Sequence, residues 1–176
     1  SDAASSPTEH YRAFVKKEVS ALRRDDLPLT ILYHPPGSER AVIGMVGSGI
    51  ILKPQRGADL GERLLNGFLD LFENGYDRVI ALSSDVPELT SEIVLKAFGS
   101  LMEHDAVIGP CTDGGYYLLG FRTLSFRPEA LTDVPMGTDT TASKTLSLLS
   151  GLKVHVLPTL SDIDTMEDLR GYIART

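Results

Sequence analysis

"RVIALSSDVPELT", residues 78–90, runs from an apolar core, Val79 to Leu82, through two serines to a carboxylate at Asp85, with Pro87 close behind. A short apolar run bounded by polar residues reads as a buried strand, here over 78–83. Proline narrows the backbone choices of the residue before it, so the segment that carries Asp85 is expected to be stiff. An aspartate at this place has two readings. It is a turn former that ends the strand, or it is an oxygen ligand held at the mouth of a sheet.

Working outward, strand and helix signals alternate. A helix is expected from Pro7 with Tyr11, Phe14, Val15, Val19 and Leu22 on one face, followed by a strand over 29–34 that Pro35-Pro36-Gly37 stops. A short helix over 38–45 and a strand over 49–53 come next. The clearest helix covers 59–74, where Leu64, Leu65, Phe68, Leu71 and Phe72 form one stripe and Gly75 supplies the stop. Beyond the opening stretch, helices are expected over 91–103, 138–149 and 165–174. Strands are expected over 106–109, 116–121 and 153–157, with an irregular stretch up to Met136. Alternation of this kind, with several strands apolar on both faces, predicts a mainly parallel α/β sheet covered on both sides, in one domain spanning 1–176. Ligands of such sheets collect outside the carboxyl ends of the strands, which is where Asp85 falls.

Composition narrows the function. The chain has 176 residues, 42% of them hydrophobic, enough for one core. No apolar stretch approaches the roughly 20 residues of a membrane span, and the first residues lack the pattern of a signal peptide, so a cytoplasmic protein is expected. Its lone cysteine, Cys111, excludes an internal disulfide framework. A net charge of -7 argues against nucleic acid as a partner. An anionic small substrate stays compatible if a metal screens it.

Three further motifs contain candidate ligands, and each has a plainer structural reading. In "LSDIDTMEDL", 160–169, Asp162 and Asp164 follow a strand and could reach the same sheet edge as Asp85, where hard cations such as Mg²⁺ take carboxylate oxygens. Asp164 and Glu167 also have capping-box spacing. In "GPCTDGGYYLLG", 109–120, Asp113 with Gly114 and Gly115 suits close approach of a ligand to bare backbone, and suits a hairpin turn as well. In "QRGADLGER", 55–63, a loop with Gly57 leads into a helix start able to hold an anion, while Asp59 and Glu62 have capping spacing.

The order of the blocks adds to this. "QRGADLGERL", "SSDVPELT", "AVIGPCTDGGYYLLGF", "GTDTTASKTL" and "LPTLSDIDTMEDL" together resemble bacterial nucleotide-diphospho-sugar transferase-like proteins of the GT-A fold, of the radical-SAM/selenodomain-associated transferase type. The resemblance covers nearly the whole chain. It implies a three-layer, Rossmann-like α/β/α sandwich with a mainly parallel mixed sheet, related to molybdenum cofactor and phospholactate guanylyltransferases. It also implies a divalent cation, Mg²⁺ or Mn²⁺, on Asp85 and Asp164, with Asp162 as a further candidate ligand. Gln55, Gly57, Asp59, Arg63 and Ser84 would sit beside the nucleotide or acceptor. Asp113, Gly114, Gly115 and Tyr116 would line the acceptor side, with Asp113 joining Asp85 and Asp164 as a catalytic candidate. The implied reaction is glycosyl or nucleotidyl transfer from a nucleotide or nucleotide sugar; the alternative is a nucleotide-binding or interaction protein without turnover. One departure stands out. Such proteins open with a strand and a basic glycine loop of the form Lys-x-Pro-x-x-Gly-x-x-Lys-Thr-Arg-Leu, and the expectation is that this chain, opening Ser1-Asp2-Ala3, lacks both.

Overall fold

The computed structural model describes residues 19, 20, 22, 28–34, 36–47, 50–83 and 86–161. Its strands are β1 (Thr30–Tyr33), β2 (Ile51–Pro54), β3 (Arg78–Leu82), β4 (Ala106–Pro110), β5 (Tyr116–Arg122) and β6 (Val154–Val156). The helices are α1 (Glu39–Val46), α2 (Leu60–Glu73), α3 (Ser91–Ser100), the short α4 (Glu129–Thr132) and α5 (Thr141–Leu148). Four strands form one sheet in the order β3-β5-β4-β6, and β1 and β2 form a separate parallel pair. Strand β6 runs parallel to β4, whereas β5 is antiparallel to both of its neighbours. The result is a mixed α/β sandwich with mostly parallel strands.

The strands are where continuous apolar runs are, and the core explains why they are apolar on both faces. On one face, Val107, Leu118 and Leu157 pack with Val94, Ala97 and Leu101 around α3. On the other, Ala106, Ile108, Leu119 and Phe121 pack with Phe68 of α2, Ala130 and Leu131 of α4, and Ala142 and Leu149 at α5. Helix α2 begins at a true cap: Asp59 Oδ1 accepts from the Glu62 N–H at 2.9 Å, and Glu62 Oε2 accepts from the Ala58 N–H at 2.7 Å. The capping reading of this motif therefore holds. Helix α3 is capped by Thr90, whose Oγ1 accepts from the Ile93 N–H at 3.3 Å.

Some boundaries differ from expectation for local reasons. Pro54 closes β2 from inside, paired with Tyr33, where a boundary outside the strand was expected. Helix α5 starts at Thr141 rather than Thr138 because the threonine hydroxyls bond locally. Thr141 Oγ1 donates to the Pro135 carbonyl at 2.9 Å and accepts from the Thr138 N–H at 3.1 Å. The stretch before Met136 also contains α4 and a 3-10 turn over Thr123–Ser125. The expected helix over 165–174 lies outside the described residues, as does the first helix apart from Val19, Ser20 and Leu22, which are helical.

Candidate functional site

Strands β3, β4 and β6 point the same way, so their carboxyl ends share one edge of the sheet, and the β4–β5 hairpin turns there. At this edge the register shifts between Gly109 and Pro110: Gly109 pairs with Leu118 and Pro110 with Tyr116. Tyr117 is the extra residue of a β-bulge, which re-aims the side chains around it. Tyr116 and Leu119 consequently pack toward the same core, that of α2, and Tyr117 joins the core on the α3 side. Gly109 makes room for the Tyr117 ring, since a Cβ at Gly109 would collide with it.

Tyr117 then ties two segments together. Its carbonyl accepts from the Ser83 N–H at 2.9 Å, just beyond the end of β3. Its phenol donates to the Pro158 carbonyl at 2.9 Å, just beyond β6. Burial, with the Cys111 thiol adding to it, pushes the Tyr117 phenol up to about 12, so it remains a neutral donor. The segment after Pro158 is pinned further: the Leu160 N–H donates to the Pro110 carbonyl at 3.0 Å, and the Thr112 N–H to the Leu160 carbonyl at 2.9 Å. The chain therefore enters Ser84-Asp85 from one point of the edge and approaches Asp162 and Asp164 from another. Ser84, Asp85, Asp162 and Asp164 themselves lie outside the described residues.

The "TDGG" motif makes the hairpin turn between β4 and β5, as its structural reading has it. Asp113 is exposed and its Oδ1 accepts from the Gly115 N–H at 2.8 Å. The Cys111 N–H donates to the Gly115 carbonyl at 2.8 Å. Gly114, at φ 91°, presses against the start of α5: its carbonyl accepts from the Ala142 N–H at 2.9 Å, and an added Cβ would strike the Asp139 carbonyl. Two blocks far apart in sequence, 111–115 and 137–142, thus form one surface.

The remaining candidates divide between two cavities. Asp59 lines one of about 610 Å³ with Leu60, Gly61 and residues 131–137. Tyr116 lies behind its Met136 wall, phenol to Sδ at 3.7 Å, and burial pushes that phenol's pKa well up. Gln55 and Arg63 line a second cavity of about 560 Å³, which Ser83 also borders. Both have structural duties: Gln55 Nε2 donates to the Leu32 carbonyl at 3.2 Å, and Arg63 Nε to the Gly57 carbonyl at 3.2 Å. Gly57, at φ 142°, sits where a Cβ would meet the backbone of Arg63. So Gln55 and Arg63 stand together with the end of β3, and Asp59 stands apart from them. Sequence reasoning missed Tyr117, Gly109 and Asp139; the only hint was the pair Tyr116-Tyr117, whose side chains a regular strand sends to opposite faces.

This fold is that of the GT-A-like nucleotide-diphospho-sugar transferase and nucleotidyltransferase superfamily. Residues 18–138 match the family described as "Uncharacterized protein conserved in bacteria (DUF2064)", and the chain belongs to it. The chain is similar to a provisionally assigned nucleotide-diphospho-sugar transferase from Desulfovibrio desulfuricans G20. The two are 36% identical with a TM-score of 0.87, over 93% of this chain and 73% of that one. At fold level it is similar to the 4-diphosphocytidyl-2C-methyl-D-erythritol synthase of Anaerococcus prevotii DSM 20548 (14% identity, TM-score 0.68, 94% of this chain and 85% of that one). It is also similar to a Mycobacterium tuberculosis H37Rv protein solved as a complex with manganese (16% identity, TM-score 0.56, 94% and 86%). A search of curated proteins found no match. Among the described residues, no helix is long and apolar enough to cross a membrane.

Proposed function

We propose that this chain is a metal-dependent transferase. It binds a nucleotide or nucleotide sugar at the carboxyl edge of the sheet and passes a glycosyl or nucleotidyl group to an acceptor. The observation that carries the reading is the Tyr117 tie, which brings the strand leading to Asp85 and the segment leading to Asp162 and Asp164 to one edge. Ligands of open α/β sheets bind at that edge. The likeness to the D. desulfuricans protein supports the reaction class.

Among the described residues, no group of three or more His, Cys, Asp or Glu side chains could hold a metal. A cation here draws on Asp85 and Asp164, with Asp162 beside them, whose carboxylates are the hard oxygen donors that Mg²⁺ and Mn²⁺ take. When bound, such an ion neutralises charge on phosphate oxygens. Manganese is included because of the M. tuberculosis protein of the same fold. Ser84 sits next to Asp85, and Gln55 and Arg63 line the cavity that Ser83 borders, on the nucleotide side, with Gly57 held by Arg63. Asp113, Gly114, Gly115 and Tyr116 make up the proposed acceptor side, with the exposed Asp113 carboxylate as the base for the acceptor's proton, and Asp59 caps the start of α2.

The test is a thermal-shift screen of the intact protein with nucleoside triphosphates and nucleotide sugars, each with and without Mg²⁺ or Mn²⁺. Stabilisation by at least one nucleotide, dependent on metal and reduced in Asp85→Ala, is expected. No stabilisation across the panel contradicts the reading. Release of pyrophosphate or of a nucleoside diphosphate from the nucleotide that scores separates nucleotidyl from glycosyl transfer.

A further inference from the structure

Leu60 stands between two cavities that differ in charge. His34, Lys53 and Arg63, with Asp70, line the 560 Å³ cavity on the proposed nucleotide side. The 610 Å³ cavity has Asp59 and Asp133 in its lining and, among the described residues, no Lys, Arg or His. Leu60 borders both, so the two meet across the first turn of α2. A volume of this size suits a small molecule.

The acidic cavity is built into the fold and continues into the Asp113 turn. Gly61 seats the first turn of α2 on α4, since an added Cβ would strike the Leu131 carbonyl. Leu131 and Val134 are buried and Leu60 is exposed, so the lining joins apolar surface to two carboxylates. Its wall, 131–137, runs on into 138–142, which the Gly114 carbonyl and the Ala142 N–H fasten to the Asp113 turn. Tyr116, just after that turn, backs the Met136 wall. Among the described residues its hydroxyl has the Met136 thioether, a weak acceptor at 3.7 Å, as its partner.

We propose that the 610 Å³ cavity holds the acceptor, and that this acceptor is an alcohol with an apolar body, uncharged or cationic, and not a phosphate ester. The proposal rests on the transferase reading above and names its acceptor class. A phosphate monoester carries a charge of about -1.5 to -2 at neutral pH. Beside Asp59 and Asp133 it meets like charges, with no cation in the described lining to offset them. An alcohol avoids that cost. Its hydroxyls can donate to the two carboxylates, its apolar part packs on Leu60 and Val134, and it can accept from Tyr116 once the flexible Met136 side chain moves aside. In the transfer, the acceptor's O–H bond breaks and its proton passes to Asp113. The freed oxygen bonds to the donor's sugar carbon, and the bond from that carbon to the nucleoside diphosphate breaks. An alcohol acceptor thus fits glycosyl transfer better than nucleotidyl transfer to an anionic acceptor.

The test is an NMR titration of the chain with choline, benzyl alcohol and myo-inositol, each beside its own phosphate monoester. Amide shifts at Gly61, Val134 and Gly137 are expected with at least one alcohol, and its monoester is expected to bind there about tenfold or more weakly. In the double variant Asp59→Asn, Asp133→Asn, which keeps a capping residue at 59, that ratio should fall to about threefold or less. If the variant does not fold, the ratio in the unaltered chain decides alone. The proposal is overturned if no alcohol shifts these amides, if a monoester binds there as well as its alcohol, or if a folded variant keeps the ratio. Larger shifts at these amides with nucleotide and Mg²⁺ alone would give the cavity to the nucleotide and overturn it too. The two readings fail separately. Alcohol binding here with no nucleotide stabilisation in the thermal screen sinks the transfer reaction and leaves the cavity's preference standing, whereas nucleotide stabilisation with no alcohol binding here sinks the acceptor cavity alone.

Discussion

Strand β5 is hydrogen-bonded on both sides and has five consecutive buried residues, Tyr117 to Phe121, whereas β1 has a partner on one side among the described residues and no fully buried residue. Both are apolar strands in one chain, so the difference comes from their surroundings and not from their propensity. Around β5 the hairpin, the bulge and the two cores determine each atom's place, and the candidate edge hangs on that frame. Around β1, among the described residues, each position is only half-buried and faces the cavity shared with β3. The four-stranded sheet is thus the buried support of the site, and the β1–β2 pair is the more exposed part of the fold.

Five substitutions probe that contrast, from the largest expected effect to the smallest. Gly114→Ala adds a Cβ at positive φ against the Asp139 carbonyl and should destabilise the protein by about 3–4 kcal/mol, read from denaturant unfolding. Leu119→Ala in the buried strand should cost about 3 kcal/mol, against about 1 kcal/mol for Leu32→Ala in β1. Equal costs would erase the distinction between the two sheets. Tyr117→Phe removes the bond to Pro158 and should cost about 1 kcal/mol at neutral pH. It also has a pH signature. The buried phenol titrates at about 12 while the unfolded one titrates near 10, so its contribution is complete below pH 10 and is lost as pH rises from about 10 to 12. The alkaline fall in stability should therefore be shallower in Tyr117→Phe. Among the described residues, Thr145 Oγ1 is buried without a hydrogen-bond partner, and Thr145→Val should raise stability by about 0.5–1 kcal/mol. A loss on calorimetry would show that the hydroxyl is satisfied in solution.

Much of the fold was legible in the chain, because its signals are local. The apolar run of β3, the stripe of α2 with its Asp59 cap and the Asp113-Gly114 turn each carry their own cue. The site was less legible. A bulge inserts one residue with no sequence marker, so Tyr117 read as an ordinary strand residue. Its partners Ser83 and Pro158 are distant along the chain, and only the folded sheet joins them. Gln55, Asp59 and Arg63 looked like one cluster in sequence, but the helix start turns Asp59 toward residues 131–137 and leaves the other two on the second cavity. The threonines at 138–141 read as helix because hydroxyls that bond their own backbone mimic a helix start.

The most direct measurement is paramagnetic broadening of amide signals by Mn²⁺ in the presence of the nucleotide that scores in the thermal screen. Broadening should centre on Ser83, Thr112, Gly115 and Leu160 at the carboxyl edge. Signals of Asp77 and Thr123, joined by a 2.8 Å hydrogen bond at the opposite end of β3 and β5, should stay sharp. Asp85→Ala should abolish the effect. Broadening centred at the Asp77 end, or none with nucleotide and metal both present, would contradict a metal-nucleotide site at the carboxyl edge.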